Sequence, residues 1–229
     1  MHSITPNAPN PSLVAYLNKP LIKSIGFNGF KYSYASGGHT FHVGGIHGKL
    51  KSIYYPEFTV KLRQYRRKGK TNQKKASTKK QGILIDKQIK EYVKSGKKPR
   101  NALAKAVVAY VEDQCNSSLQ AAQVPVFLKQ FNIVTQADLI IQNPKGELMM
   151  LELKSGYNCC RAQGTLKGYP DVPNTLKNQW ELQRHFTEKG LREGGLPLKG
   201  SYIINVYQDG DGITVKRRSN PQWIQPKTN

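Results

Sequence analysis

Cysteine, acid and long apolar runs are what this sequence has little of: it holds three cysteines and 14 Asp and Glu in 229 residues. Each shortage excludes something. Cys159 and Cys160 are neighbours and Cys115 is remote, so the chain alone builds neither a disulfide framework nor a four-cysteine zinc or iron-sulfur site, and the three read as ordinary thiols. No apolar stretch is long enough to span a bilayer and no basic amphipathic helix stands out, so no membrane partner is expected. Met1 to Pro11 carries neither the charged nor the apolar region of a secretory signal. An intracellular, reducing setting is therefore expected, which permits the nucleus in a eukaryotic host.

The scarcity of acid has the largest consequence. Against it stand 36 Lys and Arg, a formal charge of +22. That is far more than solubility requires and biases the chain toward polyanions, nucleic acid first. From Lys61 to Lys80 there are ten Lys or Arg and no acid. This run cannot pack into a core, and Arg66, Arg67, Lys68, Lys70, Lys74 and Lys75 are its candidate contacts to a nucleic-acid backbone.

Hydrophobic periodicity predicts one helix over 77–93, with Ile85, Ile89, Tyr92 and Val93 at helical spacing and Gly96 as its stop, and another over 101–114 ending at Asn116. Then the period changes. Residues 124–134, 137–142 and 147–154 are apolar and of strand length, and Asn143-Pro-Lys-Gly146 between the last two is a hairpin signal. A helix over 174–188, a strand over 201–207, a turn at Asp209-Gly-Asp-Gly212 and a short strand into Arg217 follow. The expected fold is α/β (α+β), a central mixed sheet flanked by helices. Three parts are expected: an N-terminal extension over 1–76 with the basic arm, a core over 77–218, and a polar tail over 219–229.

In Leu148-Met-Met-Leu-Glu-Leu-Lys154, strand alternation puts Glu152 and Lys154 side by side on one face. An apolar strand has no packing reason to end in two charges, since each is costly to desolvate unless paired. Counting back across the turn brings Asp138 opposite Glu152. Two carboxylates beside a lysine make a hard-oxygen site for Mg²⁺ or Mn²⁺, completed by a main-chain carbonyl, that of Leu153, and by waters. There the ion orients and acidifies an attacking water, and Lys154 steadies the nucleophile or the phosphate charge. Ser155 and Tyr157 follow the lysine and are candidate nucleic-acid contacts.

An acid, a turn and then Glu-x-Lys, present here as Asp138 and Glu152-Leu-Lys154, resemble the PD-(D/E)xK nuclease superfamily. From about Lys79 to His185 the chain resembles its RecB-like and phage lambda-type exonuclease branch. The resemblance implies a restriction-endonuclease-like core and a metal-dependent deoxyribonuclease processing DNA ends in recombination, repair or replication. The implied substrate is duplex ends or a single strand. It also implies that Asp86, after Gly82 on the upstream helix, assists the metal, and that the helix Asn178-Gln-Trp-Glu-Leu-Gln-Arg184 carries a glutamine motif. Gln179 and Gln183 share a face of that helix, where they can donate to a phosphate or hold the lysine. Gln179 is the favoured catalytic member and Gln183 a nucleic-acid contact. The chain departs from the pattern at Ala137, where a proline is usual, and at Gln183, where an aromatic is usual.

Two other readings use the same residues differently. One is a structure-selective or nicking endonuclease, resolvase-like, on the same fold. The other is a non-catalytic basic nucleic-acid-binding protein, which leaves Glu152 and Lys154 unexplained. An oligomer is compatible with the sequence, which shows none. His39, His42 and His47 match no zinc spacing, and Gly44-Gly45 and Gly194-Gly195 lack the flanks of a phosphate loop.

Overall fold

The apolar stretches around the turn at 143–146 become the middle of a sheet, and the rest of the chain covers its two faces. The computed structural model describes residues 9–28, 31–58, 71–155, 162–209 and 212–218. Its first elements are α1 (Pro11–Leu17), α2 (Pro20–Lys23), β1 (Gly26–Phe27), β2 (Tyr32–Ser36), β3 (His39–Val43) and α3 (Ile46–Tyr54). Next come α4 (Thr71–Ser95), α5 (Ala102–Ala109), β4 (Ser118–Leu128), β5 (Ile133–Gln142) and β6 (Leu148–Ser155). The last are β7 (Thr165–Leu166), β8 (Tyr169–Pro173), α6 (Leu176–Glu193), β9 (Leu198–Asp209) and β10 (Gly212–Arg218).

The main sheet has five strands in the order β10-β9-β6-β5-β4. Every pair is antiparallel except β6 with β9, so the sheet is mixed. Parallel neighbours need a crossover, and α6 supplies it. The turn that sets the central hairpin is held by Asn143, whose Oδ1 accepts from the N–H groups of Lys145 and Glu147, each at 3.0 Å. Gly146 takes a positive φ of 80° there, which glycine adopts without penalty.

Two separate cores form, one on each face, which is why the central strands are apolar on both sides. On one face Ile85 and Ile89 of α4 and Leu103, Ala104 and Val107 of α5 pack on Leu139, Leu151, Leu153 and Ile204. On the other, Leu182, Phe186 and Leu191 of α6 pack on Ile140, Leu148 and Met150. The fold is mixed α/β, with a central mixed sheet between helices. No helix among the described residues is long and apolar enough to cross a membrane.

The segment 9–58, expected as part of an extension, contributes Leu13, Tyr16, Ile22, Ile46, Leu50 and Tyr55 to the second of these cores. Its hairpin β2–β3 turns at Gly37 and Gly38, both at positive φ. Helices α1 to α3 were not legible because each is short and shows only one or two buried positions. Helix α4 begins six residues before the periodic segment, because Gln, Lys and Ala are good helix formers whether or not they are buried. The second helix passes into a π turn over Tyr110–Gln114 before Asn116 stops it at φ 45°. The expected strand 124–134 is two strands, broken at Lys129–Phe131 and turned by Asn132 at φ 50°. The turn at 209–212 lies partly, and the tail over 219–229 wholly, outside the described residues.

Close packing of α6 on β4 fixes the identity of residue 190. A Cβ on Gly190 would stand 2.5 Å from Leu128 Cδ2 and 2.7 Å from Val126 Cγ1. Gly190→Ala is therefore expected to destabilise by about 1–3 kcal/mol despite alanine's helix propensity. Gly48, inside α3 with nothing within 4 Å of its Cβ position, should tolerate Ala with a gain of about 0.5–1 kcal/mol. Urea unfolding of the two variants side by side checks both signs.

Candidate active site

Strands β5 and β6 pair only from Gln142↔Leu148 to Leu139↔Leu151. Beyond that point β5 continues alongside β4 as far as Ile133, and β6 alongside β9 as far as Ser155. The sheet forks. The first residues past the last pair are Asp138 on one limb and Glu152 on the other. Asp138 occupies the gap: its Oδ2 accepts from the Leu153 N–H at 2.8 Å and its Oδ1 from Gln123 Nε2 at 3.4 Å. In an extended strand a residue's N–H and carbonyl lie on the same edge, and the Leu153 N–H meets Asp138, so the Leu153 carbonyl faces the same fork.

Glu152 is fully buried. Its Oε1 accepts from Lys154 Nζ at 2.6 Å, while its Oε2 has no hydrogen-bond partner. Lys154 also donates to Gln183 Oε1, at 3.1 Å, from α6 on one face of the sheet. From the other face comes Asp86. Helix α4 passes the end of β6 at Gly82, where a Cβ would lie 3.1 Å from Ser155 Oγ. Asp86 is one turn further along, on the same side of the helix.

The charges of these groups act on one another. Burial first, then the Asp138 charge, pushes the Asp86 carboxyl up to about 7 against the pull of Lys154. Burial raises Asp138 although Lys154 and the Leu153 and Gln123 hydrogen bonds oppose it. Glu152 is raised by burial and by Asp138, more than Lys154 lowers it. Burial pulls Lys154 down, but Glu152, Asp138 and Asp86 together outweigh it and hold the ammonium cationic. Fully ionised, three carboxylates face one ammonium, an excess of two negative charges.

That excess, the unpartnered Glu152 Oε2 and a donor set made only of oxygens fit a hard divalent cation. Among the described residues no group of three or more His, Cys, Asp and Glu side chains is gathered as a metal cage. Mg²⁺ is ordinarily held through one or two carboxylates and its own waters, so the residues present fit it. The groups that would hold it are the fork carboxylates Asp138 and Glu152 with the Leu153 carbonyl, and Asp86 on α4 is the further acid that would assist.

Of the two glutamines, Gln183 touches the lysine, whereas Gln179 donates to Asn174 Oδ1 at 2.9 Å. The favoured member of the pair is thus one turn away from the contact. Ser201 links β9 to a set of ion pairs along α6. Arg184 bonds Glu181 at 2.9 Å, Glu188 at 3.0 Å and Ser201 on β9, in a nearly buried network. Ser155 lies against Gly82 at the end of β6. Lys74 and Lys75 fall in the first turns of α4, and Arg66, Arg67, Lys68, Lys70 and Tyr157 lie outside the described residues.

Three residues at the site carry no signal in the sequence. Gln123 faces Asp138 from β4 with its backbone at φ 56°, a left-handed conformation that costs a non-glycine residue about 1–2 kcal/mol. His47 on α3 is exposed, and partial enclosure and the Lys154 charge lower its imidazole. Tyr32 is raised by burial and by the Asp138 charge. His47 and Tyr32 lie far from the hairpin in sequence, and only the folding of 31–58 onto the sheet brings them there.

Neither protein-family models nor curated proteins gave a match to this chain.

Raised carboxyl groups make a stability prediction with a definite sign. The folded protein binds protons at Asp86 that the unfolded chain has released, so metal-free stability is complete below pH 4 and falls as pH rises through about 7. Asp86→Asn should stabilise the chelated protein at pH 8 by on the order of 1–2 kcal/mol after allowance for solvent screening. The gain should vanish near pH 4, and millimolar Mg²⁺ should raise the wild-type melting temperature but not the variant's by as much. Thermal melts at both pH values, with EDTA and with Mg²⁺, check it.

Proposed function

We propose that this chain is a Mg²⁺- or Mn²⁺-dependent deoxyribonuclease, an exonuclease acting on DNA ends, on a restriction-endonuclease-like core of the PD-(D/E)xK kind. The observation that carries the reading is the meeting of Asp138 and Glu152 at the fork of the sheet, with Lys154 bonded to Glu152 and Gln183. Nothing in the packing of a β-hairpin calls for a buried carboxylate with an unpartnered oxygen, and such an atom costs stability that function must explain.

The residues divide the work. Asp138, Glu152 and the Leu153 carbonyl would hold the cation, and Asp86 would assist it. A bound divalent ion supplies the Lewis acidity that phosphodiester hydrolysis needs. Lys154, kept charged and aimed by two fixed acceptors, holds a water oxygen or a phosphate oxygen and offsets negative charge that grows during attack. Gln183 orients that ammonium and is a positioning residue. The excess of cationic side chains, 36 against 14, draws the DNA backbone to the protein in a salt-sensitive manner.

The test is digestion of end-labelled linear duplex and covalently closed circular DNA, with Mg²⁺, with EDTA, and with Glu152→Ala. Metal-dependent loss of the linear substrate alone, absent in the variant, is the expected result. Nicking of the circle turns the reading to an endonuclease. Salt-sensitive binding without cleavage of either sinks it in favour of a non-catalytic binding protein. Gln183→Leu should lower kcat about 10- to 100-fold, the usual loss when a residue that orients a metal-site group is removed. DNA affinity in EDTA should remain unchanged.

A further inference from the structure

The small three-stranded sheet β1-β2-β3 brings its aromatic residues to one face. Strand alternation sets Tyr32 and Tyr34 on the same side of β2, and the register places Phe27 across from Tyr32 and Phe41 across from Tyr34. One end of this row is anchored: Tyr34 is buried, donates to Asn132 Oδ1 at 2.7 Å and packs on Phe127 with ring centres 5.0 Å apart. The other end lies on the β5 side: β2 packs against β5, the strand that carries Asp138, and Tyr32 is half-buried there. There Phe27 stacks on Tyr32 at 4.7 Å with the rings 30° apart, and Phe27 remains 52 % exposed.

An exposed phenyl ring fixed by stacking on a partly buried tyrosine is neither core nor scattered surface. Lys31, the residue before Tyr32, is exposed. We propose that the Phe27–Tyr32 pair is a base-stacking platform that receives an unpaired nucleobase of a DNA strand whose phosphates lie at the Asp138–Glu152 fork. This rests on the nuclease reading and narrows its substrate. Bases inside a duplex already stack on each other and present no free face, so the occupant is a single strand or the frayed end of a duplex. The surrounding cationic charge suits the strand's phosphates, and aromatic stacking with backbone charge is how proteins hold single strands without reading sequence.

The full chain is titrated in EDTA with single-stranded oligonucleotides carrying 2-aminopurine at successive positions from one end. The expected result is fluorescence quenching confined to one or two positions, lost in Phe27→Ala along with about a tenfold loss of single-strand affinity, within the range for removing one stacked aromatic. Phe27→Trp should retain the quenching, and Phe27→Leu, which keeps apolar bulk without a π face, should lose it. Unfolding midpoints of the variants report that the fold is intact. Wild-type behaviour of Phe27→Leu, or quenching at every position alike, overturns the platform. So does a wild-type dimer that Phe27→Ala converts to monomer, since the ring then faces a second copy. Cleavage of DNA in Mg²⁺ without localised quenching removes the platform and leaves the nuclease; localised quenching without cleavage removes the nuclease and leaves a single-strand binding site.

Discussion

Everything at the site depends on the place where β5 and β6 stop pairing. A ladder that ends while both strands continue leaves main-chain groups facing a gap, and buried main-chain groups must find partners. Asp138 meets this need by accepting from the Leu153 N–H at 2.8 Å. The same geometry puts two carboxylates on the two limbs of the fork, close enough that the Asp138 charge adds to burial in raising the Glu152 carboxyl. A hairpin paired to its end would hold these positions as another apolar pair, with no room for an ion between them.

The two faces of the sheet then contribute differently. The α4 face gives Asp86, and its approach depends on Gly82 because Ser155 leaves little room for a side chain there. The α6 face gives Gln183, and Arg184 and Glu188 of the same helix meet Ser201 of β9. The ion pairs among Glu181, Arg184 and Glu188 run along the helix itself, and breaking such a buried pair costs about 3–5 kcal/mol. The segment 31–58 packs on a third side, with β2 and α3 against β5. Its place there follows from the aromatic contact of Tyr34 with Phe127 and from the apolar residues that α3 adds to the core.

Much of this was legible because local patterns carry it. The 143–146 turn, the alternation in 148–154 and the apolar period of 85–93 each specify their elements within a short window. Counting across the turn brings Asp138 opposite Glu152, and the observed ladder runs in that register up to Leu139↔Leu151. The short helices before residue 55 escaped because four to nine residues give too few turns for a period to stand out. The choice between Gln179 and Gln183 escaped for another reason. Both lie on one face of α6, and only the axial placement of the helix against β6 decides which one meets Lys154.

The sequence by itself determined the mixed α/β class, the charge that points to a polyanion, and the hairpin that carries the acid and the Glu-x-Lys pair, since each follows from composition or from near neighbours. Tertiary structure alone decided that the sheet forks at Asp138 and that Glu152 Oε2 is left without a partner. It also decided that Gln123 bonds Asp138 and that β2 and α3 pack against β5, the strand of Asp138. These are matters of which surfaces are brought together over large sequence separations. No periodicity encodes them, because they arise from packing two cores on opposite faces of one sheet.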